Sequence, residues 1–385
     1  VQANDQAIPL NYVGLESAGR DVVTLKDHLS GERLHLKPEI LINAAGPWID
    51  LVNKSLGDET QYVGGTKGSH IILDHPELRL AIRDNEFLFE NSDGRIVLIF
   101  PLGDKVMIGT SDIRVDDPNG IVITEKEIDY FFDMIGRVFP EIRVDRSDIV
   151  FTFSGVRPLQ WSKGESTGQI SRDHKLQILE AGDLLEMPVL SLVGGKWTSF
   201  RAFAELATDE VLTRLGRQRQ QSTRDVAIGG GKGYPATPAD RQQLLAMWQR
   251  GSSCTAERVE TLFERYGTRA EEILAEIDCA EDSPLTEYPD YSHGEIQYIC
   301  QQEDVVHLDD FVFRRSLLGM LGRLTPAGLA EVAQSTAAAL AWTTDQTAAE
   351  IERVRSILCT EHRMDFNRYI PSGRDGDEEV QPKKD

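Results

Sequence analysis

"LVGGKWTSFR", residues 192–201, lies where an apolar run at 188–191 meets a segment with helical spacing. Glycines here let a ligand approach the backbone closely, and the N-terminus of the following helix offers unpaired N–H groups and a positive dipole end. We expect Thr198 to cap that helix. The stretch therefore predicts a strand–turn–helix unit of an α/β fold, whose turn is either a ligand loop or an ordinary tight turn.

The same loop fails the pattern of a nucleotide-phosphate loop, G-x-x-x-x-G-K-[ST]. The leading glycine position holds Leu190, and Trp197 replaces the final Ser or Thr. A dinucleotide fingerprint, G-x-G-x-x-[GA], has one nominal match beginning at Gly231, but it contains Pro235 and follows no convincing strand. We therefore interpret the stretch 228–238 as a linker and expect no pyrophosphate-binding turn in this chain.

Charge limits the partners of the chain. Its 385 residues carry 41 Lys and Arg against 63 Asp and Glu, a formal net charge of -22. Such an excess opposes nucleic-acid binding as a main role, because phosphate backbones demand clustered cations, but it leaves room for a small anionic substrate. No apolar run approaches the roughly eighteen residues that a membrane span needs.

The cysteines lie far apart and form no C-x-x-C pair; they are Cys254, Cys279, Cys300 and Cys359. This spacing is typical neither of a zinc site nor of a disulfide framework, so we expect no metal and a reducing, cytoplasmic compartment. No secretory signal is visible. The chain starts at Val1 in sequence typical of the middle of a domain, which indicates a fragment.

Strand signals dominate the first 160 residues, and strands are predicted at 21–25, 32–36, 40–42 and 148–159 and across 62–113. The strand at 40–42 is expected to be buried and to precede a helix that Pro47 begins. A hairpin is predicted around Gly103. Thr124 and Glu127 form a capping-box pattern that predicts a helix ending before Pro140. Beyond the glycine-rich stretch nearly every segment has helical spacing.

Three charged or titratable side chains are candidates for a site. Arg157 ends an apolar strand, where it either points inward at a carboxylate or phosphate or lies on the surface. Arg172 either binds an anion or pairs with its neighbour Asp173. His70 begins an apolar strand and is either structural or catalytic. The segment 110–112, TSD, indicates nothing more than a turn cap.

Six segments occur in one order along the chain: INAAGPW (42–48), GTKGSHIIL (65–73), VMIGTSD (106–112), FSGVRPL (153–159), ISRDHKL (170–176) and GGKWTSFR (194–201). Together they closely resemble the FAD-dependent, quinone-linked glycerol-3-phosphate dehydrogenase family. The stretch 294–321 resembles the helical C-terminal domain of that family. The resemblance covers roughly residues 38 to 360 and is specific because all six segments occur in order.

The resemblance implies a fold in three parts. We expect the remainder of an α/β, Rossmann-like FAD-binding domain, an α+β substrate-cap domain with an antiparallel sheet, and an all-α C-terminal domain. The expected boundaries are 1–50 and 160–225 for the FAD-binding domain, 51–159 for the cap, 226–365 for the helical domain and 366–385 for a polar tail.

The resemblance also implies the site residues. The FAD-binding residues it predicts are Ala45, Gly46, Pro47, Trp48, Gly194, Gly195, Lys196, Trp197 and Thr198. The substrate-binding residues it predicts are His70, Arg157, Arg172 and Lys196, and His70, Arg157 and Lys196 are the expected catalytic residues. Two arginines and a lysine suit a phosphate monoester dianion.

The implied reaction is oxidation of sn-glycerol 3-phosphate to dihydroxyacetone phosphate, with electrons passed to quinone. His70 is the expected base. The expected partners are glycerol 3-phosphate, quinone and the cytoplasmic membrane surface, which the protein would meet peripherally, with a homodimer as a further expectation.

The sequence departs from the family at its start, because the strand–GxGxxG–helix unit that holds the FAD pyrophosphate is absent. We therefore expect the isolated chain to bind flavin weakly or not at all. Three other interpretations stay open: an oxygen-using glycerophosphate oxidase, an amino-acid oxidase relative, and an inactive truncated chain that acts only in assembly.

Overall fold

The computed structural model describes residues 6–91, 94–163, 170–194, 196–279, 282–364 and 366. The chain divides into two compact units, Val1–Ala275 and Glu276–Asp385. The described strands all belong to the first unit, whereas the second is helical. Except for its first residue, the predicted polar tail at 366–385 lies outside the described residues.

The described strands are β1 (Val13–Ala18), β2 (Val23–Asp27), β3 (Arg33–Leu36), β4 (Leu41–Asn43), β5 (Thr66–Leu73), β6 (Phe87–Glu90), β7 (Ile96–Leu102), β8 (Lys105–Gly109), β9 (Ile113–Arg114), β10 (Ile149–Arg157), β11 (Lys175–Leu179) and β12 (Val189–Val193). The described α-helices are α1 (Ile49–Ser55), α2 (Pro76–Ile82), α3 (Glu125–Val138), α4 (Phe200–Arg214), α5 (Pro238–Gly251), α6 (Ala256–Tyr266), α7 (Ala270–Cys279), α8 (His293–Gln302), α9 (Pro326–Leu340) and α10 (Thr344–Thr360).

Strands β1, β2 and β3 form an antiparallel meander. The carboxylate of Asp27 closes the turn between β2 and β3, because it accepts from the backbone N–H of Leu29 at 2.8 Å and from Ser30 Oγ at 2.7 Å. Gly31 completes the turn with φ of 78°, a conformation that glycine adopts without strain. These strands agree with the predictions at 21–25 and 32–36.

A second sheet has the order β11–β12–β4, and β12 runs parallel to β4. Together with α1 and α4 it is the α/β part of the fold. The prediction of a buried strand at 40–42 is wrong at Ile42, which is 47% exposed. β4 is at the edge of this sheet, so Ile42 has a neighbouring strand on one side only. Fewer residues therefore cover its side chain than would cover one on a central strand.

The helix after β12 also differs from the prediction. A 3-10 turn at Trp197–Ser199 precedes α4, so Thr198 lies inside a helical turn and does not cap α4. The helix buries Phe203 and Ala207, whereas Phe200 is 52% exposed.

A six-stranded antiparallel sheet has the order β10–β5–β8–β7–β6, with β9 paired to β5. The predicted hairpin is present, since β7 and β8 join at Gly103, whose φ is 60°. The predicted helix is α3, which begins with the Thr124–Glu127 capping box and ends at Val138. These elements are the α+β part of the fold.

The main core of the first unit lies between this sheet and α2 and α3. It is built from side chains that are at most 4% exposed: Ile71, Leu73, Leu78, Ile82, Val97, Ile99, Val106, Ile108, Ile123, Ile128, Phe131, Met134 and Ile135. On β5 the core residues are Ile71 and Leu73. Since side chains alternate along a strand, Lys67 and Ser69 share their face, whereas Gly68 and His70 lie on the other.

The glycine-rich stretch 228–238 leads into α5. Thr268 Oγ1 donates to the carbonyl oxygens of Gly230 at 2.9 Å and Lys232 at 2.7 Å, which fixes the stretch against the turn after α6. Residues 215–228, which precede it, contain no strand. The nominal fingerprint at Gly231 therefore lacks the strand–turn–helix context of a dinucleotide-binding turn.

In the second unit, a π-helical turn at Asp310–Arg315 lies between α8 and α9, and α10 follows. Asp309, whose side chain is 2% exposed, accepts from Arg314 at 2.8 Å and from Arg353 of α10 at 2.6 Å. This carboxylate therefore fixes α10 to the π-helical turn. Helices α5 to α10 agree with the predicted helical C-terminal region.

Candidate functional site

His70 lies on β5, between β8 and β10. In the strand register it is opposite Gly109 of β8 and Phe153 of β10. Its ring stacks on Phe153, with the centroids 4.6 Å apart and 8° between the planes. A Cβ atom on Gly109 would overlap the imidazole, so the glycine provides the space that the ring fills.

The surroundings of His70 favour its neutral form. Burial, and then the positive charge of Arg157, lower the pKa of His70 from 6.5 to about 4. Nδ1 of the ring is buried and has no hydrogen-bond partner among the described residues. At neutral pH the side chain is therefore an uncharged imidazole, which can accept a proton from a bound molecule.

Arg157, the last residue of β10, extends toward the segment that follows β8. Its Nη2 donates to Thr110 Oγ1 at 2.7 Å, and both terminal nitrogens donate to the carbonyl oxygen of Ser111 at 3.3 Å. Asp112 Oδ1 lies 3.4 Å from Nη1. A Cβ on Gly68 would overlap the guanidinium, so this glycine also provides space.

These contacts correct the interpretation of the TSD segment as a turn cap and nothing more. The three residues at 110–112 hold the guanidinium of Arg157. Arg157 is partly buried and points into the molecule, which decides against the surface alternative. The sequence carried no signal for this arrangement, because residues 110–112 and 157 meet only when β8 and β10 pair with the same strand.

The charges of two other arginines act on Arg157. Burial is the largest cause of the lowered pKa of Arg157; Asp112 opposes it, and the charges of Arg172 and Arg95 lower the pKa further. His70 and Arg157 therefore act on each other, and the charges of the exposed Arg172 and of Arg95, which the sequence did not single out, reach Arg157. A cluster of arginines suits an anion with more than one negative charge.

A buried carboxylate lies on the other face of β5. Glu127, whose side chain is 3% exposed, accepts from Lys67 Nζ at 2.6 Å, from Ser69 Oγ at 2.7 Å and from Ser111 Oγ at 2.6 Å. Burial raises the pKa of Glu127, but these hydrogen bonds outweigh it and lower the pKa to about 2. The sequence identified Glu127 only as part of a capping box.

The residues predicted to bind the cofactor lie on two loops that leave the same edge of a sheet. Because β4 and β12 are parallel, with Asn43 opposite Ser191, the loops that follow them start side by side. Asn43 donates to Asn53 Oδ1 at 2.8 Å, and Asn53 Nδ2 donates to Ser191 Oγ at 3.3 Å. This buried chain of polar groups links the two strand ends.

The first of these loops forms a 3-10 turn at Gly46–Trp48, in which Gly46 has φ of 58°. The backbone N–H of Ala45 donates to Asn43 Oδ1 at 3.2 Å, and Trp48 Nε1 donates to Asn119 Oδ1 at 2.9 Å. Pro47 occupies the first turn, as predicted. Trp48 nevertheless remains 42% exposed, which leaves much of its ring accessible.

The second loop contains Gly194, with φ of 78°, and the exposed Lys196, Trp197 and Thr198, whereas Gly195 lies outside the described residues. A Cβ on Gly194 would press on the carbonyl oxygen of Asp173 at 2.6 Å. Trp197 is 89% exposed. The backbone of Lys196 bonds locally, since its N–H donates to Ser199 Oγ at 3.2 Å and its carbonyl oxygen accepts from Ser199 Oγ at 3.1 Å.

The side chains of the two loops suit the isoalloxazine ring of a flavin. The described loops contain no glycine-rich turn of the kind that binds its pyrophosphate. The exposed aromatic faces of Trp48 and Trp197 and the exposed Ile42 provide an apolar surface of the kind that a planar ring system covers. In the described ranges, the turns from β4, β5, β9 and β12 into the next helix carry no G-x-G-x-x-G.

Family comparisons agree with these features. A family model described as FAD dependent oxidoreductase matches residues 12–209. A second model, described as the C-terminal domain of alpha-glycerophosphate oxidase, matches residues 221–347.

Two similar proteins are glycerol-3-phosphate dehydrogenases. A glycerol-3-phosphate dehydrogenase of Synechocystis sp. is 31% identical over 91% of this chain and 66% of its own length. The aerobic glycerol-3-phosphate dehydrogenase of Escherichia coli is 29% identical over 78% of this chain and 58% of its own length. This chain therefore spans less than two thirds of the length of the curated relatives it matches.

The fold has a solved counterpart. A glycerol-3-phosphate dehydrogenase from Bacillus halodurans, complexed with FAD, superposes with a TM-score of 0.73 at 24% identity, covering 91% of this chain and 69% of that one. This likeness confirms the predicted fold class. In the described part of this chain, every helix is too short or too polar to span a bilayer.

Proposed function

Because the chain belongs to the FAD-dependent oxidoreductase family, as its motifs predicted, we propose that it contributes the substrate site for oxidation of sn-glycerol 3-phosphate to dihydroxyacetone phosphate. The observation that carries this proposal is Arg157 on the same face of the sheet as a neutral His70, with the charges of Arg172 and Arg95 close enough to lower the pKa of Arg157. Such a site binds a dianion and accepts a proton from it.

The charge of the cluster favours a phosphate monoester over a carboxylate. Guanidinium groups donate paired hydrogen bonds to the oxygens of an anion. A dianion is bound more tightly when more than one guanidinium group is present. An amino-acid substrate needs a single arginine for its carboxylate. The three arginines therefore weigh against an amino-acid oxidase, which the sequence alone left open.

His70 is the proposed base. With its pKa at about 4 the imidazole is neutral at pH 7, and a neutral imidazole accepts the proton of the C2 hydroxyl. A phosphate beside Arg157 offsets the positive charge that is the second cause of the low pKa, which makes His70 a stronger base once substrate is bound. Bound FAD supplies the acceptor for the hydride that leaves C2.

The residues proposed to hold the flavin are those of the two loops, Ala45 to Trp48 and Gly194 to Thr198. The 3-10 turn before α4 offers backbone N–H groups, which stabilise negative charge on a bound flavin ring. Lys196, which is exposed in the same loop, is the proposed further contact for substrate.

The electron acceptor is proposed to be quinone, with the protein bound peripherally to the cytoplasmic face of the membrane and assembled as a homodimer. Oxygen is the second candidate acceptor, because the model that matches residues 221–347 is described from alpha-glycerophosphate oxidase. An anaerobic assay with a soluble quinone analogue, compared with oxygen uptake, separates the two in a preparation supplied with FAD.

Calorimetric titration of the chain with glycerol 3-phosphate tests the substrate assignment. We expect binding of glycerol 3-phosphate but not of glycerol, and a loss of affinity of about tenfold or more in Arg157→Met. Arg146→Met, which removes an exposed arginine paired with Glu125 and Asp129, is the matched control and should bind as the unaltered protein does. Equal affinity for glycerol and glycerol 3-phosphate would contradict the proposal.

A further inference from the structure

Strand β5 has two faces with different chemistry. Gly68 and His70 are on the face of Arg157 and Phe153, where the candidate site lies. Lys67 and Ser69 are on the opposite face and bond to Glu127 of α3. The sheet therefore separates the site from a buried polar cluster of Lys67, Ser69, Ser111 and Glu127.

Glu127 is the centre of this cluster. Besides its bonds to Lys67, Ser69 and Ser111, its Oε2 accepts from the backbone N–H of Thr124 at 2.9 Å. Lys67 has a side-chain exposure of 7% and also donates to the carbonyl oxygen of Val122 at 2.8 Å. A buried carboxylate with this many donors is held in one position, because losing any donor leaves charge uncompensated.

Ser111 connects the cluster to the site. Its hydroxyl donates to Glu127 Oε1 at 2.6 Å and accepts from the backbone N–H of Ser69 at 2.9 Å. Its carbonyl oxygen faces the other way and accepts from both terminal nitrogens of Arg157. The side chain of Ser111 is thus bonded to Glu127 on one face of the sheet, and its backbone carbonyl accepts from Arg157 on the other.

We propose that Glu127 is a positioning residue, which fixes Arg157 in the site by anchoring Ser111. Glu127 touches neither the proposed substrate nor Arg157 itself, so its effect passes through the segment 110–112. Because residues 110–112 accept from both terminal nitrogens, the guanidinium is fixed before an anion binds, and binding costs no further side-chain order. Only the identity of that anion rests on the proposed function.

Solution NMR of protein labelled with ¹⁵N-arginine measures the position of Arg157 without any ligand. Its Nε–Hε signal is assigned by its loss in Arg157→Lys. In Ser111→Ala and Glu127→Gln we expect this signal to shift and its proton to exchange faster with water, while the signal of Arg323 stays in place. Arg323 pairs with Asp290 and reports on the second unit, and the signal of Arg79, whose Nε donates to the carbonyl oxygen of Gly103 at 2.9 Å, reports in the same way whether the first unit remains folded.

Ser69→Ala is the matched control for Ser111→Ala. It also removes one hydroxyl from Glu127 Oε1, but that hydroxyl is on β5 and its other hydrogen-bond partner is Ser154 Oγ. We expect it to leave the Arg157 signal unchanged even where stability falls. A cluster that only stabilises the fold would give the same Arg157 signal in both serine variants, and that result would overturn the proposal.

Affinity for glycerol 3-phosphate provides the second measurement. We expect Ser111→Ala to weaken it about three- to tenfold, the size of one lost hydrogen bond, and Glu125→Gln, an exposed change in the same turn of α3, to leave it unaltered. If the unaltered protein binds no glycerol 3-phosphate, the proposed function fails. The arginine signals still decide whether Glu127 positions Arg157.

Discussion

Gly109 and His70 face each other across β5 and β8, and the imidazole occupies the space that a Cβ atom on Gly109 would fill. The same relationship holds on the other side of the site between Gly68 and the guanidinium of Arg157. Because Gly68 and Gly109 have no side chain, they leave room in the site for the guanidinium and the imidazole. Neither has a positive φ, so close approach rather than backbone conformation requires them.

Gly109→Ala should displace the His70 ring from its stack on Phe153. Because the ring is confined by its own strand, we expect a loss of stability of about 1–3 kcal/mol and a changed His70 signal in NMR. Gly155→Ala is the control, since a Cβ there meets nothing within 4 Å. A Gly109→Ala protein with an unchanged His70 spectrum would show that the contact is not tight in solution.

The Lys67–Glu127 ion pair should be costly to break from either side. Lys67→Met and Glu127→Gln each leave a buried group without its charged partner, so we expect each to lower the free energy of unfolding by about 3–5 kcal/mol. The double variant should lose less than the sum of the two. Urea denaturation of the four proteins gives the coupling, and strict additivity would mean that the two charges do not interact.

The pKa of His70 predicts a pH dependence of stability. Its value of about 4 in the folded protein, against 6.5 ordinarily, means that the unfolded chain binds more protons between these values. This contribution is therefore fully present above pH 6.5 and is progressively lost as the pH falls toward 4. In His70→Gln the loss over this interval should be smaller by that contribution, as urea denaturation at several pH values would measure.

An NMR titration of the His70 ring provides the direct check. We expect a pKa near 4 in the unaltered protein and a higher one in Arg157→Met, because the second cause of the shift is removed while burial remains. A titration near 6.5 in the folded protein would contradict both the burial and the charge effect.

Asp309→Asn should destabilise the second unit. The carboxylate is 2% exposed and accepts from Arg314 and Arg353, whereas an amide has one acceptor oxygen in place of two. We expect a loss of about 1.5–3 kcal/mol in the free energy of unfolding, the size of one hydrogen bond to a charged group. Glu352→Gln, which changes the residue next to Arg353 in α10 but is 74% exposed, should change it by less than about 0.5 kcal/mol. Comparable losses in both would mean that burial of Asp309 is unimportant.

Local signals predicted the elements that local forces form. The capping box of Thr124 and Glu127, the hairpin at Gly103 and the proline of the turn at 46–48 all act within a few residues, and the structure contains each of them. Two predictions were wrong. Ile42 belongs to a strand predicted to be buried but is accessible on an edge strand, and Thr198 lies inside a 3-10 turn and does not cap α4.

The sequence by itself determined the family, the fold class and the candidates His70, Arg157 and Arg172. Motif order and residue type can be read directly from it. The tertiary structure alone decided that Ser111 holds Arg157 and that Glu127 holds Ser111. Glu127 lies 60 residues from Lys67 along the chain and 16 from Ser111. Contacts over such separations depend on strand order and burial, which no local pattern encodes.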